Sequence, residues 1–117
     1  METQAVIDMT TFQQLKDQMG ADFMPELIDT YISDTSELIE QLRKALSSED
    51  ASSFGRNAHS IKSSSASLGA LVFSSQAREL EMMGKANDLS GAGPNVERLA
   101  GDFLVVKRCL EGLRNEP

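Results

Sequence analysis

Apolar residues recur along this chain at steps of three and four and almost nowhere at steps of two. Val96, Leu99, Phe103, Val106, Leu110 and Leu113 form an unbroken 3-4-3-4-3 series, the spacing that lines one face of an α-helix. Upstream, Met24, Ile28, Tyr31, Thr35, Leu38, Leu42 and Ala45 repeat the same steps, and Leu27, Ile32, Ile39 and Leu46 widen the stripe. A face that broad requires partners on more than one side. Phe12, Leu15 and Met19 mark a shorter helix, and Phe73, Ala77, Leu80 and Met83 or Gly84 mark another. No run of four or more residues alternates cleanly among β-branched and aromatic types, and Asn-Gly and Asp-Gly turns are absent, so strands are not expected.

Start and stop residues bound these stripes. Asp8 or Thr10 suits the N-cap of the first helix and Gly20 its end. The second opens at Asp22 and tolerates Pro25 in its first turn. Asp50 follows the Ser47-Ser48 turn as a third cap, Gly69 ends that helix, and Gly93-Pro94 opens the last after the loop ANDLSGAG. Helices are predicted at about 10–19, 22–46, 50–68, 71–86 and 94–114. Connections this short suit antiparallel neighbours. The expectation is an all-α fold, an antiparallel up-and-down four-helix bundle with a short additional N-terminal helix, as a single domain over 1–117.

One stretch looks like a linker and is not. AHSIKSSSASLGA holds five serines in the ten residues from His59 to Leu68. Yet Phe54, Ala58, Ile61, Ser65 and Leu68 keep the 4-3-4-3 rhythm straight through it, so the stretch is read as a helix. His59, the only histidine, sits about 100° around from the buried Ala58 position and is expected at the edge of the stripe or beyond it. Gly55, Arg56, Lys62 and Ser63 lie within one turn of it, and Ala66 one turn further. That face is small, polar and positive. Serine is a mediocre helix former, and small side chains let another protein's backbone come close.

Composition narrows the class. The chain has 117 residues, 40% hydrophobic and 25% charged, the balance of a folded globular protein. Its formal charge of -7 repels polyanions, so nucleic-acid binding is not expected. No apolar run reaches the ~18 residues that span a bilayer, METQAVIDM lacks the pattern of a signal peptide, and a cytoplasmic, membrane-free protein is expected. One cysteine, Cys109, and one histidine leave too few soft ligands for zinc. Neither a phosphate-binding G-x-x-x-x-G-K-[ST] loop nor a Gly-rich nucleotide fingerprint occurs. A G-x-S-x-G elbow is missing too, and His59 stands where an S-x-x-K serine before Lys62 would be, which leaves small-molecule catalysis without its parts.

The run HSIKSSSASLGA is similar to the active-site helix of histidine-containing phosphotransfer (HPt) domains, whose pattern is H-x-x-K-G-x-S-x-x-L-G. His59, Lys62, Ser65, Leu68 and Gly69 match it, and Ser63 stands where the pattern has glycine. DFMPELIDTYISDTSELIEQL resembles the family's long second helix, and ARELEMMG the helix that follows the motif. The resemblance covers about Met9 to Leu113.

It implies a phosphorelay intermediate. His59 would accept a phosphoryl group on Nε2 from the aspartate of a receiver domain of a hybrid sensor kinase, then pass it to the receiver of a response regulator. Imidazole, with an ordinary pKa of about 6.5, is a nitrogen nucleophile available near neutral pH, and Lys62, one turn on, suits charge stabilisation in flight. Gly55, Arg56, Ser63 and Ala66 are the expected docking face. The chain itself would need no cofactor, magnesium belonging to the partner receiver. It would be a monomer without ATP-dependent kinase activity. The alternative is a helical adaptor that binds a receiver or kinase with His59 unused.

Overall fold

The computed structural model describes residues 6–114, which form α1 (Met9–Met19), α2 (Met24–Ser47), α3 (Ala51–Leu68), α4 (Leu71–Lys85) and α5 (Ala92–Arg114). Residues 1–5 and 115–117, where the leader reading and the ends of the 1–117 extent fall, lie outside the described residues. Successive helices from α2 to α5 pack on one another and α5 returns to α2, closing a four-helix ring, while α1 lies on α3. The described residues contain no strand. This is the antiparallel up-and-down bundle with a short extra N-terminal helix that the periodicity predicts.

Caps explain where α1 and α3 begin and end. Asp8 accepts from the Thr11 amide and Asp50 from the Ser53 amide, each satisfying a free N–H of the first turn. At the far end of α3, Gly69 takes φ +95, and a Cβ there would lie 2.6 Å from the Asp8 carbonyl oxygen. The same junction carries a hydrogen bond from the Asp8 amide to the Gly69 carbonyl at 2.7 Å. Only glycine lets α1 dock this closely on the end of α3.

Two starts differ from expectation. Asp22 lies in the turn before α2, which begins at Met24 with no side-chain cap and Pro25 in its first turn. α5 begins at Ala92, earlier than Gly93-Pro94, because Ala92 itself is buried against the core and Gly91, at φ +77, makes the turn.

The core comprises the apolar faces of all five helices. Phe54, Ala58, Ile61, Ser65 and Leu68 of α3 are all buried, so the serine-rich stretch does carry the packing stripe. Ser65 is fully enclosed and shares a 2.6 Å hydrogen bond with the Tyr31 hydroxyl of α2. Burial pushes the Tyr31 pKa up to about 12. On α2 the buried set is Met24, Ile28, Tyr31, Thr35, Ile39, Leu42 and Ala45, with Ile39 in place of Leu38. A 3.6-residue period drifts from a strict 3-4 alternation over 24 residues, and an extra step of four absorbs the drift. Cys109 is buried. Among the described residues no helix is long and apolar enough to cross a membrane.

Candidate functional site

α3 and α4 cross where two glycines face each other. A Cβ on Gly84 would sit 2.7 Å from both the Cα and the amide nitrogen of Gly55 and 2.9 Å from the Ala51 carbonyl oxygen. The helices therefore touch backbone to backbone at this point. One turn from the crossing, His59 on α3 and Glu81 on α4 meet, and another turn along α3 brings Lys62 to the same carboxylate. Ser74 of α4 donates to the Lys62 carbonyl at 2.8 Å, tying the helices together beyond it.

Glu81 is the centre of the cluster. Its side chain is 4% exposed, with Oε2 2.8 Å from His59 Nδ1 and Oε1 2.7 Å from Lys62 Nζ. Lys85 Nζ lies 3.4 Å from Oε2. The hydrogen bond from Lys62 leads the effects that hold the Glu81 pKa down to about 2, against burial, which opposes ionisation; the His59 hydrogen bond and the lysine charges add to it. An ionised carboxylate only accepts hydrogen bonds. Nδ1 of a neutral His59 must then carry the proton and donate, which leaves the lone pair on Nε2. The ring itself is 57% exposed. The arrangement presents an oriented nitrogen nucleophile to solvent with an ammonium one turn away.

A cleft of about 750 Å³ opens beside the ring, lined among others by Arg56, His59, Ser60, Glu81 and Lys85. Arg56 is exposed, its guanidinium held by the hydroxyls of Ser52 and Ser53. Ser63 is exposed and Ala66 half-buried. Gly55, read from sequence as part of an open docking face, is buried at the crossing with Gly84 and forms only the floor of the cleft. The reason is Gly84, whose missing side chain lets α4 lie directly on the Gly55 backbone. On the other flank of α3, a groove of about 400 Å³ runs past Leu15, Met19, Leu27, Leu38, Ser60 and Ser64. Met19 at its edge is 45% exposed.

Glu81 and Lys85 are the functional candidates that sequence reasoning did not single out for a role. A signal existed. Ala77, Leu80, Glu81 and Gly84 stand at steps of three, one and three, so Glu81 occupies a core-facing position in a helix adjacent in sequence to the lone histidine. A carboxylate there needs a partner on a neighbouring helix. Among the described residues no cluster of three or more histidine, cysteine, aspartate or glutamate side chains is arranged to hold a metal ion.

The family model described as the Hpt domain matches residues 26–116. The phosphorelay protein LuxU of Vibrio harveyi is 28% identical over 110 residues, spanning 94% of this chain and 96% of that protein. The crystal structure of histidine-containing phosphotransfer protein B from Pseudomonas aeruginosa PAO1 superposes with a TM-score of 0.88 at 28% identity, covering 93% of this chain and 94% of the other.

Proposed function

The chain belongs to the Hpt domain family, and on that premise we propose that His59 receives a phosphoryl group from a receiver-domain aspartate and hands it to a second receiver. At the coarser level the protein is a phosphotransfer intermediate of a two-component system. The observation that carries the finer reading is the contact between His59 Nδ1 and Glu81, which leaves Nε2 free on a solvent-facing ring.

The step follows from that geometry. The Nε2 lone pair attacks phosphorus as the bond to the aspartyl oxygen breaks, and the carboxylate leaves with the bonding electrons. The ring keeps its Nδ1 proton and becomes cationic, directly against the Glu81 carboxylate. Charge gathering on the phosphoryl oxygens is met by the Lys62 ammonium. Return of the group to another aspartate is the same step reversed. Magnesium belongs to the receiver and the chain acts as a monomer. Docking uses the small exposed side chains around His59, Ser63 foremost, together with the apolar groove edged by Met19.

The test is to mix the protein with a panel of receivers carrying labelled phosphate. Label should move to this chain as an acid-labile, base-stable adduct, and ATP alone should give none. His59→Gln should take up none. Transfer that persists in that variant overturns the assignment, and tight receiver binding with no movement of label makes the bundle an adaptor instead.

A further inference from the structure

Glu81 has more cationic partners than its resting charge needs. Lys62 Nζ lies 2.7 Å from Oε1 in a short hydrogen-bonded pair, whereas Lys85 Nζ stands off at 3.4 Å from Oε2, the oxygen that His59 already occupies. The two lysines differ in freedom as well. The Lys62 side chain is 29% exposed and that of Lys85 67% exposed. Arg56, on the same cleft, is engaged by Ser52 and Ser53 and makes no pair with the carboxylate.

Lys62 faces two demands that it cannot meet at full strength together. In the resting molecule its ammonium serves Glu81, whereas charge stabilisation asks it to serve the phosphoryl oxygens on Nε2. Turning outward would leave Oε1 of a carboxylate that is 4% exposed without its hydrogen-bonded ammonium, the cationic ring holding only Oε2, and a buried charged oxygen left unsatisfied is unfavourable. We propose that Lys85 is the reserve counter-ion of Glu81: as Lys62 turns to the phosphoryl group, Lys85 closes on the carboxylate and keeps it paired. This rests on the reading of His59 as the phosphoacceptor.

The charge balance favours the exchange. With a dianionic phosphoryl group on a cationic ring, the Glu81 carboxylate and both lysines bring the cluster to neutrality. Without Lys85 the cluster is left one negative charge in excess, on a chain whose net charge is already -7. Lys85 lies one helical turn after Glu81, where an acid followed by a base four residues later is the favourable orientation. Lys85 is thus a positioning residue, acting on the phosphoryl group only by releasing Lys62.

The experiment is single-turnover transfer from a labelled phospho-receiver, followed over a range of receiver concentrations, for the wild type, Lys85→Met and Lys85→Arg. Lys85→Met should lower the rate at saturating receiver by about tenfold, the equivalent of one charged hydrogen bond. The half-saturating concentration should stay within about twofold, and Lys85→Arg should restore most of the rate. Melting of the unphosphorylated variants should match wild type, since Lys62 still holds Glu81 at rest. A wild-type saturating rate in Lys85→Met, or a loss confined to the half-saturating concentration, overturns the proposal and makes Lys85 a spectator or a docking charge. Failure of the wild type itself to take label is a different result, and it removes the phosphoacceptor reading beneath the proposal.

Discussion

A glutamate enclosed between two helices serves best as an anion, because its ionised oxygens can hold a lysine and an imidazole N–H at once. Glu81→Gln keeps the shape and removes that capacity. One amide oxygen remains to accept, so Lys62 and His59 compete for it and the amide NH₂ is turned toward a donor. The ring should lose its single tautomer, read as a shift of its nitrogen-15 resonances toward a mixed population, and phosphotransfer should slow by about tenfold or more. The variant should also change how stability responds to acid. The Glu81 carboxyl is held down to about 2 from an ordinary 4.5, so its pairing contributes stability in full above the ordinary value. That contribution fades as pH falls toward the folded value. The stability difference between wild type and Glu81→Gln should therefore shrink between pH ~5.5 and ~2.5, measured by urea midpoints at each. A constant difference would mean that the carboxylate is not ionised through its contacts with Lys62 and His59.

At the scale of elements, the site exists because α3 and α4 approach without side chains between them. Gly55 and Gly84 look alike in the sequence and are not equivalent. A Cβ on Gly55 meets its nearest atom, the Gly84 Cα, at 3.6 Å, ordinary contact, whereas one on Gly84 meets three backbone atoms of α3 at 2.7 to 2.9 Å. Backbone in a packed helix cannot step aside. Gly84→Ala should force the helices apart and cost about 1 to 3 kcal/mol. It should also slow transfer, since Glu81 lies one turn from the wedge. Gly55→Ala should be neutral or stabilising by up to about 1 kcal/mol, the gain in helix propensity. Chemical denaturation of the two variants separates them, and equal losses would place the crossing elsewhere. The serines of α3 serve the same element differently. Ser64 and Ser67 return their hydroxyls to the carbonyls of Ser60 and Ser63, which spends the donors inside the helix and leaves a small surface with few competing hydrogen bonds.

For the molecule as a whole, the bundle architecture was legible because burial alone writes the 3-4 rhythm, and Asp8, Asp50, Gly20 and Gly69 punctuate it with local chemistry. The width of the α2 stripe called for partners on more than one side, and the structure supplies them in α3 and α5. What stayed illegible was contact across helices: that Glu81 faces His59, that position 84 has room only for glycine against the α3 backbone, and that Lys85 shares an oxygen with the imidazole. Spacing within one helix carries no information about register against another. Placement around α3 can still be tested, and the test joins the stability of the bundle to its association with a partner. Ser63 is exposed one turn from His59, while Ser65 is fully buried against the Tyr31 hydroxyl. Ser63→Phe should therefore leave melting unchanged and block both receiver binding and phosphotransfer, because the added ring projects into the space that a docking backbone must occupy. Ser65→Phe should do the reverse in order. It loses the Tyr31 hydrogen bond and overpacks the core, which lowers stability by about 1 to 3 kcal/mol before any effect on docking. Circular dichroism melts alongside labelled transfer distinguish the two. If Ser63→Phe transferred phosphate at the wild-type rate, or unfolded the bundle as Ser65→Phe threatens to, the face of α3 turned to its partner would not be the one that carries His59.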